Sequence, residues 1–89
     1  MKIALLGYGY WGKIVFKYLK NDTFFELVKV FDMYNDKVGI FTNNIDEIME
    51  DEEIEGVYIA TPVSTHFKFI KLAIEHKKLV FCEKVLVTE

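Results

Sequence analysis

The sequence predicts an α/β fold in which a mostly parallel sheet is covered by helices on both faces. Two observations support this prediction. Short apolar runs of strand length alternate with amphipathic segments of helix length along the 89 residues. Most connections between the runs are also long enough for a helix to cross back over the sheet. Such alternation is typical of a doubly wound sheet with right-handed crossovers.

The first strand, helix and second strand follow one another directly. Residues 2–6 (KIALL) are a buried strand that ends at Gly7, and we expect a helix from Gly12. A second strand over 26–31 (ELVKVF) is closed by Asp32. The helix has an apolar face of Trp11, Ile14, Val15, Tyr18 and Leu19.

The connection after Asp32 is shortened. Only residues 33–37 separate it from the apolar run 38–41 (VGIF), whereas a parallel crossover needs about a dozen residues. We therefore predict an antiparallel edge strand over 38–42, with irregular chain as the alternative.

The second half continues the alternation. Asn44 and Glu47 form the pattern of a capping box, and Thr61-Pro62 interrupts the chain after an apolar run. The predicted elements are a helix over 45–51, a strand over 56–60, a helix over 64–77 and a strand over 79–82. The longer helix has an apolar face that includes Phe67, Ile70, Ala73 and Ile74.

A glycine-rich loop joins the first strand to the first helix. Gly7 permits a tight turn, Gly9 lets backbone approach a diphosphate, and Gly12 allows close packing of the helix. Asp32 lies about 20 residues beyond the last glycine, where a carboxylate accepts hydrogen bonds from ribose hydroxyls. This G-x-G-x-x-G pattern predicts a Rossmann-type dinucleotide site, with Tyr8, Tyr10 and Trp11 as further candidates for cofactor binding. For Trp11 we favour a packing role.

The predicted cofactor is NAD, and NADP is disfavoured. An acidic residue at position 32 repels a 2′-phosphate, and the sequence contains no arginine. Lys37, which follows Asp32 in the sequence, is the nearest candidate cation. A glycine turn without a ligand and a different adenosine ligand such as S-adenosylmethionine are the alternatives.

Two later segments resemble a known family when taken together with the glycine loop. These are residues 60–62 (ATP) followed by Thr65-His66, and residues 81–84 (FCEK). With residues 7–12 (GYGYWG), they resemble the Gfo/Idh/MocA (glucose–fructose oxidoreductase / inositol dehydrogenase) family over nearly the whole chain. The resemblance implies the NAD-binding domain of an oxidoreductase that acts on a hydroxyl or carbonyl of a sugar, polyol or nucleotide sugar.

The resemblance also implies roles for individual residues. Thr61 and Pro62 would run along the cofactor, with His66 near the same crevice, although a capping or surface role for His66 is favoured. Glu83 would contact the nicotinamide ribose. Lys84 would be catalytic, because its charge stabilises a developing alkoxide and it can exchange a proton.

The domain organisation departs from that of the family. Val85 follows Lys84, where the family motif has proline, and the family carries a second, larger domain that supplies the substrate pocket. We therefore expect residues 1–89 to be a single truncated dinucleotide-binding domain without a substrate domain, inactive alone. A separate chain could supply that domain, and the apolar edge at 79–82 could cause self-association. A non-catalytic nucleotide-binding or assembly module is the alternative.

Composition argues against other partner classes. The net charge of −3 and the pI of about 5.4 do not favour nucleic-acid binding, which needs a basic surface. No apolar run approaches the roughly 20 residues of a membrane span. The single cysteine, Cys82, cannot form an internal disulfide, which fits the cytoplasm, and we expect it to be buried. The spacing of the two histidines does not suggest a metal site.

Overall fold

The computed structural model describes residues 1–34 and 38–82. The strands are β1 (Lys2–Leu6), β2 (Glu26–Phe31), β3 (Phe41–Thr42), β4 (Gly56–Ile59) and β5 (Leu79–Cys82). The helices are α1 (Tyr10–Asn21), α2 (Asp46–Met49) and α3 (His66–Glu75), with a 3₁₀ turn at Val63–Thr65 before α3.

Within the described residues, the five strands form one all-parallel sheet in the order β3-β2-β1-β4-β5. The chain winds from β1 outward to β3 and then returns to the other side of β1 through β4. The strand order therefore reverses between β1 and β4. In open α/β sheets, ligands bind outside the carboxyl ends of the strands at such a point. The predicted doubly wound, Rossmann-type architecture is confirmed.

Helices cover both faces of the sheet. On one face, Val15 and Leu19 of α1 pack against Leu5 and Val30. The other face carries the larger core, built by α2, α3 and the strands beneath them. Its buried residues are Ala4, Leu6, Phe31, Ile48, Met49, Ile54, Val57, Ile59, Phe69 and Ala73.

The prediction of an antiparallel strand over 38–42 is wrong. Thr42 and Phe41 form a two-residue edge strand that runs parallel to β2. The Val30 amide donates to the Ile40 carbonyl (2.9 Å) and the Asp32 amide to the Thr42 carbonyl (2.9 Å). β3 pairs only with Val30 and Phe31 at the carboxyl end of β2. The chain therefore has to run back only a short distance along β2 before it pairs. A full helical crossover is therefore unnecessary.

Helix boundaries and faces also differ from the predictions. α1 begins at Tyr10, so Gly12 lies in its first turn, and α2 is shorter than predicted. The predicted cap is displaced, because the N-cap of α2 is Ile45. Asn44 lies just before it, and its Oδ1 accepts a hydrogen bond from the Asp46 amide (3.0 Å). Some residues assigned to apolar faces are instead exposed: Trp11 (41%), Tyr18 (74%), Phe67 (78%) and Ile74 (63%).

A buried lysine ties the turn after α3 to the segment before β4. The Lys78 ammonium donates to the carbonyls of Asp51 (2.8 Å) and Ile54 (2.7 Å). Burial lowers the pKa of Lys78 from its usual value of 10.5, against the opposing effect of the Asp51 carboxylate. In the described residues, no helix has the length and apolar character needed to cross a bilayer.

Candidate functional site

A cavity of about 1010 Å³ opens at the carboxyl ends of β1, β2 and β4. This is the upper end of the size range of small-molecule sites, and the cavity lies where the strand order reverses. Its lining residues are Gly7, Tyr8, Gly9, Tyr10, Trp11, Phe31, Asp32, Met33, Tyr34, Ile59, Ala60, Thr61, Pro62, Val63, Thr65, His66, Lys68 and Phe69.

The loop after β1 is fixed to both neighbouring strands. The Gly7 amide donates to the Phe31 carbonyl of β2 (2.8 Å), and the Ala60 amide after β4 donates to the Leu6 carbonyl (2.8 Å). Gly7 has a φ of +105°, and a Cβ there would approach the Ala60 carbonyl carbon to 2.9 Å. Both the backbone angle and the contact therefore require glycine.

Gly9 and Gly12 have different structural roles. A Cβ on Gly12 would lie 2.2 Å from the Gly7 carbonyl oxygen, so glycine is needed for α1 to start against the loop. A Cβ on Gly9 would meet no protein atom within 4 Å. Because Gly9 also lines the cavity, its bare backbone leaves room for a ligand to approach.

The start of α1 is suited to an anion. Its N-cap is Gly9, which has no side chain to cap the helix, and the first turn contains no acidic residue. The bond from the Lys13 amide to the Gly9 carbonyl (3.0 Å) begins the helical pattern. The first amides of a helix, together with its dipole, favour a negative group such as a diphosphate.

Asp32 lies immediately after β2 and is half-buried. Its Oδ1 accepts a hydrogen bond from the Tyr34 amide (3.0 Å), and its own amide is held by the edge strand. These contacts orient the carboxylate at the end of the cavity that Met33 and Tyr34 also line. The arrangement can accept hydrogen bonds from vicinal hydroxyls, as a ribose offers.

The turn between β4 and α3 is held by side-chain hydrogen bonds. The Thr65 hydroxyl contacts the Thr61 hydroxyl (2.7 Å) and the Pro62 carbonyl (2.7 Å). His66 Nε2 lies 2.8 Å from the Thr61 carbonyl oxygen, so that nitrogen carries the proton. The imidazole therefore fixes the backbone of the turn that forms one wall of the cavity.

The aromatic residues in and near the loop have different surroundings. The Tyr8 ring packs edge-on against Phe16 (centroids 5.4 Å apart) and Phe41 (4.8 Å), so it contributes to packing as well as to the cavity. Tyr10 is 85% exposed. Trp11 lines the cavity while remaining partly exposed.

The structure brings most of the predicted residues together. Gly12 lies against Gly7 and is not among the described residues that line the cavity. Lys37, Glu83 and Lys84 lie outside the described residues. The lining residues that sequence reasoning missed are Phe31, Met33, Tyr34, Ile59, Val63, Lys68 and Phe69. The predicted residues that line the cavity are Gly7, Tyr8, Gly9, Tyr10, Trp11, Asp32, Thr61, Pro62 and His66.

The cavity has the parts that a dinucleotide needs: a glycine open to it, the start of helix α1 and the carboxylate that follows β2. Among the described residues, no group of three or more His, Cys, Asp or Glu side chains could hold a metal ion. A sequence model of the Gfo/Idh/MocA family, described as an oxidoreductase family with an NAD-binding Rossmann fold, matches residues 1–89.

This chain belongs to the Gfo/Idh/MocA oxidoreductase family. It is an NAD-binding Rossmann domain of that family. The resemblance carried by the glycine loop and the two later motifs is thus confirmed.

Several known proteins are similar to this chain over different shares of its length. An uncharacterized oxidoreductase of Streptococcus pneumoniae serotype 4 is 29% identical over 94% of this chain. Inositol 2-dehydrogenase 2 of Mycolicibacterium vanbaalenii is 42% identical over 48% of it. The crystal structure of a myo-inositol dehydrogenase from Corynebacterium glutamicum superposes with a TM-score of 0.82, at 27% identity over 94% of this chain.

The chain spans only part of the length of these relatives. It covers 24% of the pneumococcal protein, 13% of the mycobacterial one and 28% of the C. glutamicum chain.

Proposed function

We propose that residues 1–89 bind NAD in preference to NADP and form the cofactor-binding part of a dehydrogenase of a sugar, polyol or nucleotide sugar. The main observation is that Asp32 lines the same cavity as the glycine loop, with its carboxylate oriented by the Tyr34 amide. A carboxylate at this position accepts both ribose hydroxyls and repels a 2′-phosphate.

In this proposal, the diphosphate lies against Gly7–Gly12 and the start of α1. Gly9 supports that position because a Cβ there would point into open space. Tyr8, Tyr10 and Trp11 contribute the surface beside the diphosphate. Thr61, Pro62 and His66 form the opposite wall, which the hydrogen bonds within the turn keep in place.

The reactive end of the site involves residues outside the described part of the chain. We propose, from the family resemblance, that Glu83 contacts the nicotinamide ribose and that Lys84 faces the substrate. When bound, the nicotinamide exchanges a hydride with the carbon that bears the reacting oxygen. Lys84 would exchange a proton with that oxygen and stabilise its negative charge.

The substrate class is proposed from the inositol dehydrogenases among the relatives. Because the chain covers only part of those proteins, we propose that a substrate domain is supplied by polypeptide outside residues 1–89 and that these residues alone do not turn over substrate. Water exclusion around the reacting atoms requires such a second wall. We also propose a cytoplasmic location, supported by the free thiol of Cys82.

Assembly through the sheet edge is a second candidate function. Within the described residues β5 is an edge strand, its Leu79 is 53% exposed, and Cys82 is exposed rather than buried as expected. An exposed apolar edge can pair with another strand. Size-exclusion chromatography tests this proposal, because a monomer at high concentration would contradict self-association.

Calorimetric titration with NAD tests the proposed cofactor site. Asp32→Ala should weaken NAD binding about 10- to 100-fold, the value of hydrogen bonds to a charged acceptor. Glu26→Ala is the matched control, because it removes a carboxylate from the opposite end of the same strand and should leave the affinity unchanged. Equal affinities of wild type and Asp32→Ala would contradict the proposal.

A further inference from the structure

We propose that Lys68 of α3 faces the 2′ position of the adenosine ribose and provides measurable affinity for NADP despite Asp32. The proposal rests on the proposed dinucleotide site. It concerns a residue that sequence reasoning did not select, since Lys37 was the candidate cation chosen from the sequence.

The position of Lys68 follows from two aromatic contacts. Its ammonium lies 5.6 Å from the centroid of the Phe69 ring. Phe69 is buried and packs against Phe31, with ring centroids 5.8 Å apart. Phe31 directly precedes Asp32. These contacts link Lys68 to the end of β2, and Lys68 and Asp32 line the same cavity.

The charges around this end explain how the two cofactors would be distinguished. Among the described residues that line the cavity, Asp32 provides the carboxylate and Lys68 the ammonium. A 2′-phosphate carries a charge of about −2, so Asp32 repels it and Lys68 attracts it. A 2′-hydroxyl carries no charge and responds little to the ammonium. Lys68 should therefore affect NADP binding and leave NAD binding nearly unchanged.

Lys71 provides a matched control on the same helix. It is an exposed lysine one turn further along α3, and it is not among the described residues that line the cavity. Replacing either lysine with alanine removes the same charge and side-chain length. A difference between the two variants therefore reports position rather than net charge.

The experiment measures the dissociation constants of NAD and NADP for wild type, Lys68→Ala and Lys71→Ala. Lys68→Ala should weaken NADP binding about tenfold, as expected for one charge-assisted contact at a partly exposed site, and should change NAD binding less than about twofold. The same loss is expected in the Asp32→Asn background, where NADP should bind more tightly because the repelling carboxylate is gone. Raising the salt concentration should reduce the difference, because exposed charges are screened.

The outcomes separate this inference from the proposed function. If Lys68→Ala and Lys71→Ala have equal NADP affinities, or if NAD binding falls as much as NADP binding, the role of Lys68 is overturned while the dinucleotide site stands. If wild type binds neither dinucleotide, both proposals fail.

Discussion

Adding a single methyl group should mainly lower the stability of the domain at Gly12 and mainly weaken NAD binding at Gly9. At Gly12, the new Cβ would lie 2.2 Å from the Gly7 carbonyl oxygen and 2.7 Å from the Gly7 carbonyl carbon. Both atoms belong to the backbone, so the start of α1 or the loop must move. At Gly9, a Cβ would have no protein neighbour within 4 Å, and the φ of −79° suits alanine.

These distances set the expected magnitudes. Overpacking against backbone at Gly12 should cost about 3 kcal/mol, and the helix preference of alanine returns about 1 kcal/mol. Gly12→Ala should therefore lose about 2 kcal/mol, or roughly 10 °C in Tm for a domain of this size. Gly9→Ala should cost about 1 kcal/mol or less, the difference between glycine and alanine at an N-cap.

Thermal unfolding by circular dichroism and calorimetric titration with NAD together check this prediction. Gly9→Ala should unfold near the wild-type temperature but bind NAD at least about tenfold more weakly, since its methyl group occupies the space of the diphosphate. The reasoning would be refuted if Gly12→Ala were as stable as wild type. Unchanged NAD affinity in Gly9→Ala would equally refute it.

Three further predictions concern Lys78 and His66. Lys78→Met should lower the free energy of unfolding in urea by about 2 kcal/mol, because two buried carbonyls, those of Asp51 and Ile54, lose their donor; wild-type stability in this variant would contradict the contacts. Since the folded-state pKa of Lys78 is lowered, the unfolded chain holds more protons between that pKa and 10.5. Wild-type stability should therefore gain a contribution as pH rises through this window, and an identical pH profile in Lys78→Met would exclude it. In His66→Gln, the side-chain amide can replace Nε2 as donor to the Thr61 carbonyl, so this variant should keep the wild-type affinity for NAD. His66→Leu has no donor there and should bind NAD severalfold more weakly. Equal NAD binding by both variants would show that this bond does not position the turn.

The strands were predictable because their boundaries are chemically marked. Gly7 ends β1, Asp32 follows β2, and Thr61-Pro62 interrupts the chain just after β4. The orientation of β3 was not predictable in this way. The rule about crossover length assumes strands that pair along their whole length, whereas β3 pairs only with the tip of β2.

The face of α3 could not be read from its sequence because apolar residues surround most of the helix. Phe67 and Ile74 share the helical period with Ile70, yet Phe69 and Ala73 are the ones that reach the sheet. The same uncertainty in rotation concealed Lys68, which lines the cavity beside Phe69.

The candidate site was likewise predictable only where a sequence motif marks it. Motif spacing was sufficient to predict that Gly7, Gly9 and Asp32 line one cavity. Their positions are set by the backbone at the carboxyl ends of two adjacent strands, β1 and β2. The contact between the Asp32 carboxylate and the Tyr34 amide depends on the path of the turn after β2, which carries no comparable motif.

A crystal structure of the protein with bound NAD would test the central claim most directly. It should show the diphosphate against the amides of residues 7–12 and both adenosine ribose hydroxyls within hydrogen-bond distance of the Asp32 carboxylate. A nucleotide bound elsewhere, with side chains filling the glycine loop and Asp32 turned away from the cavity, would contradict it.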